Sequence, residues 1–106
     1  LAKGISLDAV VCYNDQIAMQ IIPALTSRGA RVPEDISVTG YDNSYMAMGD
    51  GFRLTTIVHP QEKLGEMAAQ LLLSLLQGEI LQPEERKILI QPELVVGNSC
   101  HTTAPK

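Results

Sequence analysis

Three short runs rich in apolar and β-branched residues, DAVVCY at 8–13, ISVTGY at 36–41 and LTTIV at 54–58, are each followed at once by polar residues: Asn14-Asp15, Asp42-Asn43 and His59. Continuous apolar runs of this length suit strands covered on both faces, as in a parallel sheet. After the first run, Asn14 can cap a helix through its side-chain oxygen. Ile17, Ala18, Ile21, Ile22 and Leu25 then recur at helical spacing until Gly29, which supplies a left-handed stop. Pro23 lies inside this helix and cannot donate to the carbonyl of Met19, which predicts a kink without a break.

The second run is delivered by the turn Val32-Pro33-Glu34-Asp35, and a short helix is expected from Tyr45 to Met48, ahead of a loop at 49–51. After the third run, Pro60 suits a first helical position, and Leu64, Met67, Ala68, Leu71, Leu72, Leu75 and Leu76 form one apolar stripe that Gly78 ends. KILI at 87–90 and ELVVG at 93–97 are two further strand candidates around Pro92. Strands alternating with helices in this order predict an α/β fold, an open and mostly parallel sheet with flanking helices.

Composition removes several function classes. With 106 residues, 45% hydrophobic and 19% charged, the chain is sized for one globular unit, and no stretch approaches a membrane span, so no membrane partner is expected. Twelve acids against 8 bases give a net charge of −4 without a basic cluster, so this segment carries no electrostatic footprint for a phosphate backbone. The 2 cysteines are too few for a disulfide scaffold and show no zinc-ligand spacing, which points to a reducing cytoplasm, no metal, and Cys12 as a small core residue. There is no glycine-rich phosphate loop, no Gly-x-Ser-x-Gly elbow and no His-Glu-x-x-His helix. A nucleophilic Cys12 would have to be exposed and acidic, which a strand-buried thiol is not. Neither an enzyme nor a cofactor is expected.

Ligands of open α/β sheets lie beyond the carboxyl ends of the strands, and there the sequence sets Asn14, Asp15, Asp42, Asn43 and His59. Carboxylate and amide groups so placed can exchange hydrogen bonds with adjacent hydroxyls, each charge-assisted bond contributing roughly 1.5–3 kcal/mol. Polyols fit that chemistry. The same residues also have purely structural readings: Asn14 as a helix cap, Asp15 as a favourable charge in the first helical turn, Asp42-Asn43 as an Asx turn, His59 as the residue before a helix-opening proline.

The stretch YNDQIAMQIIPALTSRGARVPEDISVTGYDNS, followed by RLTTIVHPQEKLGEMAAQLLLSLLQGE, resembles the effector-binding region of the LacI/GalR family of bacterial transcriptional repressors. Its most specific parts are Asn14-Asp15, the phrase from Val32 to Val38, Gly40-Tyr41-Asp42-Asn43, and Leu54-Thr55-Thr56-Ile57. His59-Pro60, where many members have glutamine, resembles the arabinose-responsive repressors. The resemblance implies part of a two-lobed, periplasmic-binding-protein-like fold that closes on a sugar effector, with arabinose as the first candidate. It implies that Asn14, Asp42 and His59 line the effector cleft, and that Tyr45, Met46 and Met48 belong to a homodimer surface. It further implies that residues 1–58 and 93–106 belong to the carboxyl-terminal lobe, and that the segment 60–90 packs on the other lobe. The chain would correspond to the last part of an effector domain, with operator DNA gripped by an amino-terminal module absent here. A periplasmic sugar-binding protein of a transport system is the alternative that shares the fold.

Overall fold

Local chemistry opens each element. Asn14, in extended conformation, accepts a hydrogen bond from Ile17 N–H through Oδ1 at 2.9 Å and starts helix α1, Asp15–Ser27. The helix runs without interruption through Pro23, and Gly29, at φ +88°, turns the chain out of it. In the computed structural model, which describes residues 4, 6–44, 48–49 and 51–101, α1 lies between the strands β1, Ala9–Val11, and β2, Ser37–Thr39. These pair in parallel with Val10 opposite Val38.

The chain divides into two compact units, Leu1–His59 with Glu93–Lys106, and Pro60–Pro92. In the first, a two-residue hairpin, β3 at Met48–Gly49 and β4 at Phe52–Arg53, leads into β5, Thr56–Val58. Gly51, at φ +77°, makes the reversal possible. β5 pairs antiparallel with β6, Glu93–Val95. The two ladders are tied by a parallel bridge from Thr39 to Thr55, by Gly40 N–H donating to the Thr55 carbonyl at 3.0 Å, and by Asp42 N–H donating to the Ile57 carbonyl at 2.9 Å. The row is therefore β1-β2-β5-β6, with β1, β2 and β5 running the same way.

At the amino ends of β2 and β5 the segment after β6 closes the gap. Ser99 is fully buried; its hydroxyl donates to the Val38 carbonyl at 2.6 Å and accepts from Thr55 N–H at 2.8 Å, while its own carbonyl accepts from Val38 N–H at 2.9 Å. Asn98 exchanges bonds with Arg53, its N–H to the carbonyl at 2.7 Å and its Oδ1 from Arg53 N–H at 2.8 Å. These groups satisfy polar backbone that a longer β5 would otherwise have paired.

The core lies on one side of this sheet, where Cys12, Ala18, Leu25, Ile36, Val38 and Leu54 are buried together and Val10, Ile21, Ile22 and Phe52 pack against them. The other side carries Val11, Leu94 and Val96, which are largely exposed. In the second unit, helix α2, Gln61–Leu76, buries no residue, and Leu72, Leu73, Leu75 and Leu76 are more than half exposed. Leu81, on the segment that follows, is buried.

Two expectations change, and a third falls mostly outside the described residues. Pro60 stands before the first helical position and not in it, its carbonyl accepting from Leu64 N–H at 3.0 Å. KILI at 87–90 forms no strand; Ile88 and Leu89 are exposed, and a strand needs a partner that those residues do not reach. Of the short helix expected from Tyr45 to Met48, residues 45–47 lie outside the described residues, and Met48 is in β3.

Gly40 and Gly65 should respond oppositely to an added methyl group. A Cβ at Gly40 would collide with the Asp15 carboxylate and lie 2.8 Å from Leu54 Cδ2, whereas Gly65, inside α2, has open space around it. Gly40→Ala is expected to lower unfolding free energy by about 1–3 kcal/mol, and Gly65→Ala to raise that of its helix by about 0.8–1 kcal/mol. Urea titrations followed by circular dichroism measure both. Equal midpoints for Gly40→Ala and the parent chain would contradict the packing described.

Candidate functional site

The polar residues after β1, β2 and β5 share one edge because those three strands are parallel. A buried carboxylate organises that edge. Asp15 is 1% exposed; its N–H donates to the Tyr41 carbonyl at 2.9 Å, its Oδ1 accepts from Thr56 Oγ1 at 2.6 Å, and its Oδ2 accepts from Ser44 N–H at 2.8 Å. Thr56 Oγ1 in turn accepts from Asn43 N–H at 3.3 Å. A buried ionised group is tolerated only when donors surround it, and these two oxygens have them. Gly40 is required here, since the carboxylate occupies the space that any side chain at 40 would enter.

The loop after β2 is held by its backbone. Asp42 and Asn43 both adopt left-handed conformations, φ 102° and 55°, which Asn and Asp tolerate better than other side chains. Three successive amides, those of Asp42, Asn43 and Ser44, are all taken by the scaffold, through Ile57, Thr56 and Asp15. The Asp42 side chain is thereby left exposed and lines, with Tyr13 and Tyr41, an open hollow of about 300 Å³. Its carboxylate accepts no hydrogen bond from the described residues.

His59 follows β5 directly. Its Nδ1 lies 3.1 Å from the Tyr41 hydroxyl, and the two rings are 5.7 Å apart between centroids and tilted by 51°. Asn14 directly follows Tyr13, and its Oδ1 is engaged by the helix cap, so its cap role is real; its Nδ2 has no partner among the described residues. The edge thus gathers Asp42, Tyr41 and His59 closely, with Asn14 beside Tyr13 at the neighbouring strand end. Tyr45 and Met46 lie outside the described residues, as does the side chain of Met48.

A second hollow, of about 220 Å³, lies on the sheet face away from α1 and is walled mainly by alternate strand residues, among them Val11, Thr39, Ile57 and Leu94. It is apolar and lacks the carboxylate that lines the first. Burial pushes the Cys12 thiol above its ordinary range, which opposes thiolate formation there. Among the described residues no three His, Cys, Asp or Glu side chains form a metal-binding group, and no helix is long and apolar enough to cross a membrane.

A sequence profile described as a periplasmic binding protein-like domain matches residues 3–100. The chain belongs to this family. It is 38% identical over 93 residues to the arabinose metabolism transcriptional repressor of Halalkalibacterium halodurans, covering 85% of this chain and 25% of that protein. It is 40% identical over 91 residues to the HTH-type transcriptional repressor PurR of Vibrio campbellii, covering 86% of this chain and 27% of that protein. Among solved structures, the lac repressor dimer bound to operator and the anti-inducer ONPF matches with a TM-score of 0.80 at 33% identity, over 95% of this chain and 34% of that one. The expected α/β class and the LacI-type resemblance are borne out. The chain spans about a quarter of the length of these sequence relatives.

Sequence reasoning missed three contributors. Asp15 is a structural hub and not simply a helix-dipole charge; its partner Thr56 is 41 positions away, a distance no local pattern reports. Tyr41 ends a strand and belongs to the Gly40-Tyr41-Asp42-Asn43 phrase, but nothing in the sequence shows that its hydroxyl meets His59. Ser99 was not singled out at all. Thr56→Val should leave Asp15 Oδ1 a donor short and cost roughly 1.5–3 kcal/mol, while Thr56→Ser, which keeps the hydroxyl, should cost about 0.8 kcal/mol. Denaturant unfolding of the two variants decides this. Equal losses would show that the hydroxyl's bonds to Asp15 and Asn43 contribute nothing.

Proposed function

We propose that this chain is the effector-sensing part of a sugar-responsive transcriptional repressor. The observation that carries the reading is the shared edge of β1, β2 and β5, with an exposed Asp42 carboxylate beside Tyr41, whose hydroxyl meets His59, and with Asn14 at the adjoining strand end. Such groups exchange hydrogen bonds with hydroxyls, and the ligands of open α/β sheets bind at this edge. The naming of an arabinose-metabolism repressor among the relatives makes arabinose the first sugar to examine. The relatives are named repressors and not transport proteins, which favours a regulator over a periplasmic carrier.

In this reading Asn14, Asp42 and His59 contact the sugar. Residues 1–58 and 93–106 form one lobe, and 60–90 packs on the other. Tyr45, Met46 and Met48 contribute to a homodimer surface. Sugar binding favours one arrangement of the lobes, and that preference changes the affinity of the dimer for operator DNA, which an amino-terminal module grips. No bond is made or broken, so the protein is not an enzyme, and it works in the cytoplasm where its DNA is.

Asp42→Asn in the full-length protein is expected to weaken arabinose binding roughly ten- to hundredfold, the equivalent of one charge-assisted hydrogen bond. Operator affinity without sugar should be unchanged. Isothermal titration with L-arabinose and an operator gel-shift series measure the two. Sugar affinity unaltered by the substitution would refute the role given to Asp42.

A further inference from the structure

We propose that Tyr41 is a positioning residue that fixes His59 as a hydrogen-bond donor to the ligand, by keeping the proton of the neutral ring on Nε2. The proposal rests on the sugar-sensing reading for its function, and on geometry alone for its chemistry. A neutral imidazole carries one proton, so one ring nitrogen donates and the other accepts. The Tyr41 hydroxyl lies 3.1 Å from His59 Nδ1.

Two arrangements satisfy that distance. If Nδ1 bears the proton, it donates to the tyrosine oxygen, and the tyrosine O–H is then without an acceptor among the described residues. If Nε2 bears it, the phenol donates to Nδ1, and Nε2–H, which has no partner among the described residues, is left to face a ligand. A half-buried hydroxyl with an acceptor is favoured over one without, so the second arrangement prevails. The tilted contact between the rings, centroids 5.7 Å apart, holds the imidazole plane at the same time.

The consequence is a defined polarity at the edge. Asp42 offers only acceptors, and His59, through Nε2–H, offers a donor. A hydroxyl can give its proton to the first, and a ring oxygen or second hydroxyl oxygen can accept from the second. A ligand with oxygen lone pairs near His59 is selected over one bearing donors alone there. Tyr41 does this without having to touch the ligand.

The test uses the full-length protein labelled with ¹⁵N-histidine, free of sugar and at a pH where His59 is neutral, with the His59 signals assigned through their loss in His59→Gln. Long-range ¹H–¹⁵N correlation spectra distinguish the tautomers. The expected wild-type pattern has Nδ1 unprotonated and Nε2 protonated; Tyr41→Phe, which removes only the hydroxyl, should give a mixture. In parallel, Tyr41→Phe should weaken L-arabinose binding about five- to tenfold, with operator affinity unchanged. A wild-type ring protonated on Nδ1, or a tautomer pattern that Tyr41→Phe leaves as it was, would overturn the proposal. The wild-type spectrum needs no variant to fold, and it decides the proton's place whether or not sugar binds. Failure of the wild-type protein to bind any sugar would instead count against the sugar reading.

Discussion

The carboxylate of Asp15 is the contact on which the carboxyl edge of the sheet depends. Being 1% exposed, it has lost the water that would otherwise stabilise its charge, and it accepts instead from a threonine on β5 and an amide in the loop after β2. It thereby joins three separate stretches of the chain, the start of α1, the start of β5 and the loop after β2. Removing a single partner of such a group is expensive, because the charge remains buried and underbonded. The glycine at 40 belongs to the same constraint, since only a residue without a side chain leaves space for the carboxylate. The fold thus keeps one acid inside in order to hold the loop that presents another, Asp42, outside.

That division of labour separates scaffold from function within a few residues. Asp15, Thr56 and Gly40 are buried or closely packed, and their polar atoms face each other. Asp42, exposed on a loop whose three consecutive amides are already engaged, has little left to do for the fold. A left-handed backbone at two successive non-glycine residues, Asp42 and Asn43, costs stability, of order 1–3 kcal/mol for each residue in a sparsely populated conformation. Tolerated strain of this kind at a strand end is what a binding loop held by its surroundings would show.

Much of this was legible from the residues alone. β1, β2, α1 and the body of α2 follow from apolar periodicity and from residues with strong conformational preferences, such as Asn14 at the cap and Gly29 at the stop. The placing of Asn14, Asp42 and His59 after strands of one direction followed from the alternation of elements. What sequence could not show was pairing at a distance. KILI at 87–90 has strand-like composition, but composition does not provide a partner, and among the described residues it pairs with none. Asp15 looked like an ordinary first-turn acid because its burial arises from β2 and β5. Ser99 and Asn98 sit in a short polar segment with no periodic signal, yet they complete the hydrogen bonding of two strands.

The central claim is that the groups gathered at this edge, Asp42 and His59 foremost with Asn14 alongside, engage one sugar molecule together. A crystal structure of the full-length protein grown with L-arabinose tests it most directly. The account predicts the sugar at the carboxyl ends of β1, β2 and β5, with hydroxyl oxygens within hydrogen-bond distance of the Asp42 carboxylate, His59 Nε2 and Asn14 Nδ2. Sugar bound at the opposite edge, in the hollow beside Asp8, Glu34 and His101, with Asp42 and His59 facing only solvent, would contradict it.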